Sequence, residues 1–115
     1  MTNIAPTAKI EVNTRVYDNA MVYGNVQVSD NARVRGNAQV IDFAWVSGNA
    51  WVFDHAWICG NAQVYGDAKV FDHAKVCGNA QIEGYVLVYG NAILEGDVTI
   101  SKGWVYDVHW WKDIP

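Results

Sequence analysis

The chain predicts an all-β solenoid, a parallel β-helix of about five triangular coils, and two regularities in its 115 residues lead to this fold class. An aliphatic residue stands at every sixth position from Ile10 to Ile100. A small residue, mostly alanine, stands two positions before it, and Gly or Asp followed by Asn, His or Asp usually stands two positions after it. The repeating unit therefore reads Ala-x-Val-x-(Gly/Asp)-(Asn/His/Asp).

Each repeat predicts one short strand and one corner. The alternation in Ala-x-Val-x places alanine and valine on the inner side of a strand and both x positions on the outer side. Gly and Asn tolerate the left-handed backbone that a sharp corner needs. A two-residue link turns the chain without reversing it, so three repeats close a triangle. Strands eighteen residues apart then stack in parallel, about 4.8 Å from one another.

The two ends depart from the repeat. Residues 1–101 form the predicted β-helix, with 1–8 as a lead-in, and the period fails at Ser101-Lys102-Gly103. Residues 102–115 follow as an aromatic tail. Because the terminal coils of a solenoid need to be covered, we expect this tail to cap the last coil. The alternative is an arm that docks on another subunit.

Composition narrows the classes of function. The formal net charge is −4 and only 17% of the residues are charged, which argues against a nucleic-acid partner. No apolar run approaches the roughly 20 residues of a membrane helix, and the first residues do not resemble a secretion signal. We therefore expect a cytosolic protein with no membrane partner. No motif predicts a cofactor or a metal.

The repeats from about residue 8 to 101 resemble those of the hexapeptide-repeat, left-handed parallel β-helix family, typified by bacterial transferases. The resemblance implies left-handed winding, although crossovers between parallel strands are normally right-handed. It also implies trimers and, in the acyltransferases of the family, a histidine base and a coenzyme A site between subunits. Here glycine follows the aliphatic residue by two positions instead of one, as in Val22-Tyr23-Gly24, so the corners are expected to differ in detail.

Stacking at eighteen residues assigns the outward side chains to three faces. The first face is the richest in aromatic and basic residues: Arg15, Tyr17, Arg33, Arg35, Trp51, Phe53, Lys69, Phe71, Leu87 and Tyr89. Phe53, Phe71 and Tyr89 form one column, and Arg35 and Lys69 can stack on the rings. A contiguous apolar surface of this kind is typical of a subunit contact. The alternatives are ring stacking that only stabilises the sheet, and a ligand groove.

Two histidines are the candidates for chemistry. His55 and His73 stand eighteen residues apart in the repeated string Phe-Asp-His-Ala, so they stack at one corner together with Asp54 and Asp72. A histidine beside an orienting carboxylate can act as a general base. Both histidines also occupy the position that Asn or Asp fills at other corners. We therefore expect corner residues, with a catalytic or metal site as the alternative.

Other outward side chains extend the set of candidates. Cys59 and Cys77 face outward on neighbouring strands, where side chains that point the same way fit a disulfide poorly, so free thiols are expected. Exposed rings that could stack on a ligand complete the set: Trp45, Trp57, Tyr65, Trp110 and Trp111.

These observations predict a non-catalytic structural or binding module. It self-associates, with a trimer favoured, and presents the first face to a protein or small-molecule partner. Similar uninterrupted repeats look like accessory domains of bacterial and phage proteins. One alternative is an acyltransferase-like trimer with a site between subunits near His55 and His73. Another is a binder of nucleotide-like ligands in the groove between subunits.

Overall fold

The computed structural model describes residues 3–11, 14–107 and 109–110, which contain strands and corners and no helix. In these residues, therefore, no helix could span a membrane. The strands, in chain order, are β1 (Asn3–Ile4), β2 (Lys9–Ile10), β3 (Arg15–Val16), β4 (Met21–Val22), β5 (Gln27–Val28), β6 (Arg33–Val34), β7 (Gln39–Val40), β8 (Trp45–Val46), β9 (Trp51–Val52), β10 (Trp57–Ile58), β11 (Gln63–Val64), β12 (Lys69–Val70), β13 (Lys75–Val76), β14 (Gln81–Tyr89), β15 (Ile93–Leu94), β16 (Thr99–Tyr106) and β17 (His109–Trp110).

Every strand pairs in parallel with the strand one coil away, and the predicted fold class is confirmed. The second face stacks β1, β4, β7, β10, β13, β15 and β17. The third face stacks β2, β5, β8 and β11 on the start of β14, and the first face stacks β3, β6, β9 and β12 on its end. The register is eighteen residues from Asn3↔Met21 to Ile82↔Ile100. The winding sense that the resemblance implies stays a prediction.

The inner side of the coils is filled by the alanines and the aliphatic residues of the repeat. Side chains such as Val52, Ile58 and Val64 are 0% exposed, and the described residues contain no buried polar or charged side chain. A small residue near each corner and a branched one at mid-strand suit a triangular interior, because the space narrows toward the corners. The core is thus one continuous apolar column along the solenoid axis.

The first of the two corner residues gives each corner its left-handed backbone conformation. This position has a positive φ whether it holds glycine or aspartate, as in Gly66 (69°) and Asp42 (65°). Where it holds aspartate, the carboxylate accepts a hydrogen bond from the backbone N–H at the same position of the next coil. These bonds, 3.0 to 3.3 Å long, join Asp18 to Gly36, Asp30 to Gly48, Asp42 to Gly60, Asp54 to Asp72 and Asp72 to Gly90.

The coiled region extends further at both ends of the chain than the six-residue repeat predicts. At the start, β1 lies within the expected lead-in and already pairs with β4. At the end, β16 runs along β14, with the register falling from eighteen at Ile82↔Ile100 to seventeen at Tyr85↔Lys102. Val105 is 6% exposed and continues the core. The tail through Tyr106 therefore adds to the winding as a further coil. A capping role for 111–115 stays a prediction that lies outside the described residues.

Candidate binding surface

The first face presents two outward columns of side chains. Strand pairing aligns the first column directly, from Arg15↔Arg33 and Arg33↔Trp51 through Lys69 and Leu87 to Trp104. The second column follows two residues later in each coil and runs through Tyr17, Arg35, Phe53, Phe71, Tyr89 and Tyr106. Because the coils are short and parallel, each side chain of a column lies one strand spacing from the next.

The aromatic rings of the second column stack on one another. The ring centroids of Phe53 and Phe71 are 4.9 Å apart with an interplanar angle of 5°, and those of Phe71 and Tyr89 are 5.3 Å apart at 6°. Tyr89 continues the column to Tyr106 at 4.8 Å. Pairs at such distances stabilise a fold beyond the area that they bury, by about 0.5–1.5 kcal/mol each. The ladder therefore helps to hold neighbouring coils together.

Cations surround Trp51 in the N-terminal part of this face. The Arg33 guanidinium carbon lies 5.0 Å from the Trp51 ring centroid and the Lys69 Nζ 4.8 Å from it, and these two residues come from the coils before and after. Arg35 lies 5.4 Å from the Trp51 centroid and 4.6 Å from that of Phe53. We call Arg15, Arg33, Trp51, Arg35 and Lys69 the basic half of the first face.

The C-terminal part of the face is apolar. Leu87 follows Lys69 in the first column, and Trp104, 74% exposed, follows Leu87. Beside them stand Tyr89 and Tyr106, the latter 55% exposed. We call Leu87, Tyr89, Trp104 and Tyr106 the apolar half. The negative charge of Asp107, and a hydrogen bond to it, raise the pKa of Tyr106, so the Tyr106 hydroxyl stays uncharged into alkaline pH.

The exposure of these side chains is uneven. Trp51, Phe53, Phe71, Leu87 and Tyr89, predicted as the partner surface, are only partly exposed, because they cover one another and the basic side chains lie over them. The most open rings of the face are instead Trp104 and Tyr106, which the sequence reading placed in the cap. The missed signal is that Val105 follows Ile100 by five residues instead of six, so one shortened repeat carries the two rings onto the same face.

A shallow groove of about 350 Å³ runs beside the first column and is lined by Asn49, Trp51, Asp67, Lys69 and Tyr85. Asn49 Nδ2 donates a hydrogen bond of 3.2 Å to Asp67 Oδ1. Tyr85 is 73% exposed and replaces the Asn or Asp of other corners. Sequence reasoning missed Tyr85 as a surface ring. The departure from the corner pattern at this position was the available signal.

His55 and His73 stack as predicted, with ring centroids 4.9 Å apart and an interplanar angle of 6°. Both rings are exposed. The carboxylates of Asp54 and Asp72 accept backbone N–H groups of the next coil, which is the corner role already described. Within the described part of the chain, no group of three or more His, Cys, Asp or Glu side chains could hold a metal ion. A catalytic role for the four residues stays the untested alternative.

Three of the rings predicted to stack on a ligand lie on the other two faces. Trp45 is 45% exposed on the third face, and Trp57 is 37% exposed on the second, with Lys75 Nζ 4.8 Å from its ring centroid. Tyr65 Oη donates a hydrogen bond of 2.6 Å to Glu83, and this bond raises the pKa of Tyr65. The backbone of Trp110 belongs to β17, while Trp111 lies outside the described residues. The strand pairing puts Trp45 and Tyr65 on one face and Trp57 on another, so these three rings do not share one site.

The expectation of free thiols at Cys59 and Cys77 is wrong. The structure joins the two residues by a disulfide between neighbouring coils, with their Cα atoms 4.5 Å apart. In-register parallel strands bring the two Cα atoms within the range of a disulfide, although both side chains leave the same face. Disulfides are common in oxidising compartments and rare in the cytosol, and the cytosolic location stays a prediction.

Comparison with known proteins agrees with this architecture. The family model of the YdcK β-solenoid repeat matches residues 15–29 and 26–41, which include β3 to β7. No curated protein and no solved structure gives a match. The matched stretches cover a minor part of the chain, and the parallel strand stacking continues through the coils that follow. Together they identify the chain as a β-solenoid repeat protein.

Proposed function

We propose that this chain is a non-catalytic, rigid binding scaffold that assembles with copies of itself through the apolar half of the first face. A trimer is the assembly we favour, as in the hexapeptide-repeat family that the sequence resembles. The single observation that carries the proposal is the exposure of Trp104 and Tyr106, 74% and 55%, beside Leu87 and Tyr89. Contiguous apolar surface of this kind is typical of a protein contact.

Charge favours a second copy as the occupant of this surface. The outward strand positions of the apolar half hold no charged side chain, so a complementary surface is apolar as well. The apolar half of another copy meets this requirement, and identical patches can meet around a symmetry axis. The basic halves would repel one another at close range. We therefore expect the contact to be confined to the C-terminal coils.

The contacts at the histidine corner support a non-catalytic role. A general base needs a partner that orients it. The carboxylates of Asp54 and Asp72 instead hydrogen-bond to the backbone, and the rings of His55 and His73 pack on each other. The acyltransferase alternative predicts that acetyl-coenzyme A raises the melting temperature of the protein. Such a rise, abolished by His55→Ala with His73→Ala, would count against our proposal.

Light scattering tests the assembly directly. We expect the native protein to have about three times the monomer mass of 12.8 kDa, and the Trp104→Glu/Tyr106→Glu variant to have the monomer mass. The matched control is Trp45→Glu/Tyr23→Glu, which changes one tryptophan and one tyrosine, each 45% exposed, on the other two faces. A monomeric native protein, or a control that dissociates equally, would refute the proposed contact.

A further inference from the structure

The basic half gathers positive charge that the rest of the chain does not share. Arg15, Arg33, Arg35 and Lys69 are four of the eight lysines and arginines in a protein of formal net charge −4. The outward strand positions of the first face contain no carboxylate. The remaining residues therefore carry twelve acidic and four basic side chains, a formal charge of −8. The cations are concentrated on this face.

Three of these cations rest on aromatic rings. Arg33 and Lys69 flank the Trp51 ring, and Arg35 lies over Phe53. A guanidinium that rests on a ring keeps its N–H edge available for an oxyanion. The Nε of Arg35 is buried and has no hydrogen-bond partner among the described residues. A buried donor without a partner is unfavourable, and an added acceptor would relieve it.

The arrangement of the arginines also costs stability. Arg15 and Arg33 stand directly opposite each other on paired strands, where like charges are destabilising. Arg35 adds a third positive charge on the same side of the strand, two residues from Arg33. A bound anion between these three side chains would turn the repulsion into attraction.

We infer that the basic half is a binding site for a phosphate-class oxyanion carried by a small soluble ligand. Arg15, Arg33 and Arg35 would hold one anionic group. Lys69 lies on the opposite side of the Trp51 ring and would meet a second group, so a ligand with more than one phosphate suits the site best.

The surface beside the cations has room for a small ligand. A groove of about 430 Å³ is lined by Thr14, Arg15, Val16 and Tyr17 at the N-terminal side of the cluster. The groove beside Trp51 and Lys69 lies at the other side, with Tyr85 exposed at its rim. Grooves of a few hundred Å³ are the size that small ligands occupy. Both open next to the basic side chains, so a ligand can extend beyond its phosphate.

Titration calorimetry with sodium tripolyphosphate, at constant chloride concentration, tests the site. We expect saturable binding by the native protein and a loss of affinity of about tenfold or more in Arg33→Gln/Arg35→Gln. The matched control is Lys9→Gln/Lys75→Gln, which removes the same charge from the other two faces. Lys75 lies 4.8 Å from the Trp57 ring centroid and so repeats the cation–ring contact without an arginine cluster. The control should bind within about twofold of the native protein.

Each other outcome would overturn the inference. If the native protein gave no saturable heat of binding with tripolyphosphate, the site would be absent. Equal losses in both variants would show that net charge, and not the arginine cluster, determines binding. Binding of single-stranded DNA without binding of tripolyphosphate would assign the face to a macromolecule. Circular dichroism of each variant separates lost binding from lost folding. The result is independent of the apolar half, so the assembly and the anion site can fail separately.

Discussion

The corner at Gly66 tests how tightly the coils are stacked. Gly66 has a φ of +69°, and a Cβ added there would lie 2.5 Å from the backbone N of Gly84 and 3.1 Å from its Cα. The obstacle is the backbone of the next coil, which is fixed by its own register. An alanine at this position therefore has to push two coils apart.

The structure sets the size of the effect for Gly66→Ala. A non-glycine residue in the left-handed region costs about 1–2 kcal/mol. Reduced freedom of the unfolded chain returns about 0.4–1 kcal/mol. Overpacking against the next coil adds about 1–3 kcal/mol, which gives a net loss of about 3 kcal/mol in the free energy of unfolding. Gly103→Ala is the matched control, because its φ is +99° and nothing lies within 4 Å of the added Cβ. It should lose about 1–2 kcal/mol, because a φ of +99° is less favourable for alanine than +69° but no neighbouring backbone adds overpacking.

A larger side chain should be tolerated better at this corner. Asp42 and Asp72 hold the same corner position at φ values of 65° and 58°. Their carboxylates accept the N–H groups of Gly60 and Gly90 at 3.0 Å. Gly66→Asp can form the same bond to Gly84. We therefore expect it to lose about 1 kcal/mol less than Gly66→Ala, since a hydrogen bond to a charged group offsets part of the strain.

Urea unfolding followed by circular dichroism measures the three variants. We expect the order of stability to be native, then Gly103→Ala and Gly66→Asp, then Gly66→Ala, with similar dependence on urea concentration. If Gly66→Ala and Gly103→Ala lost the same free energy, contact between the coils would play no part. If Gly66→Asp were the least stable, the corner carboxylates would not have the role that their hydrogen bonds suggest.

Two further predictions concern side-chain bonds between coils. Reduction of Cys59–Cys77, which closes a loop of 18 residues, should lower the free energy of unfolding by about 3 kcal/mol. Reductant should not change the free energy of unfolding of the Cys59→Ala/Cys77→Ala variant in urea. If reductant also left the native protein equally stable, the disulfide would be contradicted. The hydrogen bond to Glu83 raises the pKa of Tyr65 above its ordinary 10.0, so its stabilisation is present below that pH and is lost as pH rises through the folded-state pKa. Tyr65→Phe should therefore cost about 0.5–1 kcal/mol near pH 8, a modest figure because both side chains are partly exposed, and progressively less as pH rises through the folded-state pKa of Tyr65. A pH-independent difference between Tyr65→Phe and native protein would show that the bond to Glu83 is not its cause.

The regular coils could be predicted from the sequence because one short pattern carries several constraints at once. In Ala38-x-Val40 and its counterparts, alternation fixes the inner side of the strand and the two-residue corner fixes the step to the next strand. The eighteen-residue register follows from these two features, and it places Phe53 on Phe71 without further information. The sequence predicts a left-handed backbone at the corners but not which residue adopts it. The first corner residue takes the positive φ, and the asparagine after it does not.

The last coil and the disulfide could not be predicted in the same way. Once the period slips by one residue at Ser101-Lys102-Gly103, pattern alone cannot distinguish a shortened coil from the end of the solenoid. The pairing of β14 and β15 with later strands, as in Val88↔Val105, shows that winding continues. For Cys59 and Cys77, register gave the correct neighbours, but not whether both sulfur atoms could meet above one face.

The eighteen-residue step of the regular coils also determines how the molecule extends under force. Tension applied to the two chain ends peels the outermost coil first, because each coil is held mainly by its nearest neighbour. Each coil released would lengthen the chain by about 60 Å, the span of eighteen extended residues. The disulfide between Cys59 and Cys77 prevents one such lengthening, since the residues between them cannot be extended while the bond is intact. Reducing agent would restore this lengthening, so extension under load would report the redox state of a single bond.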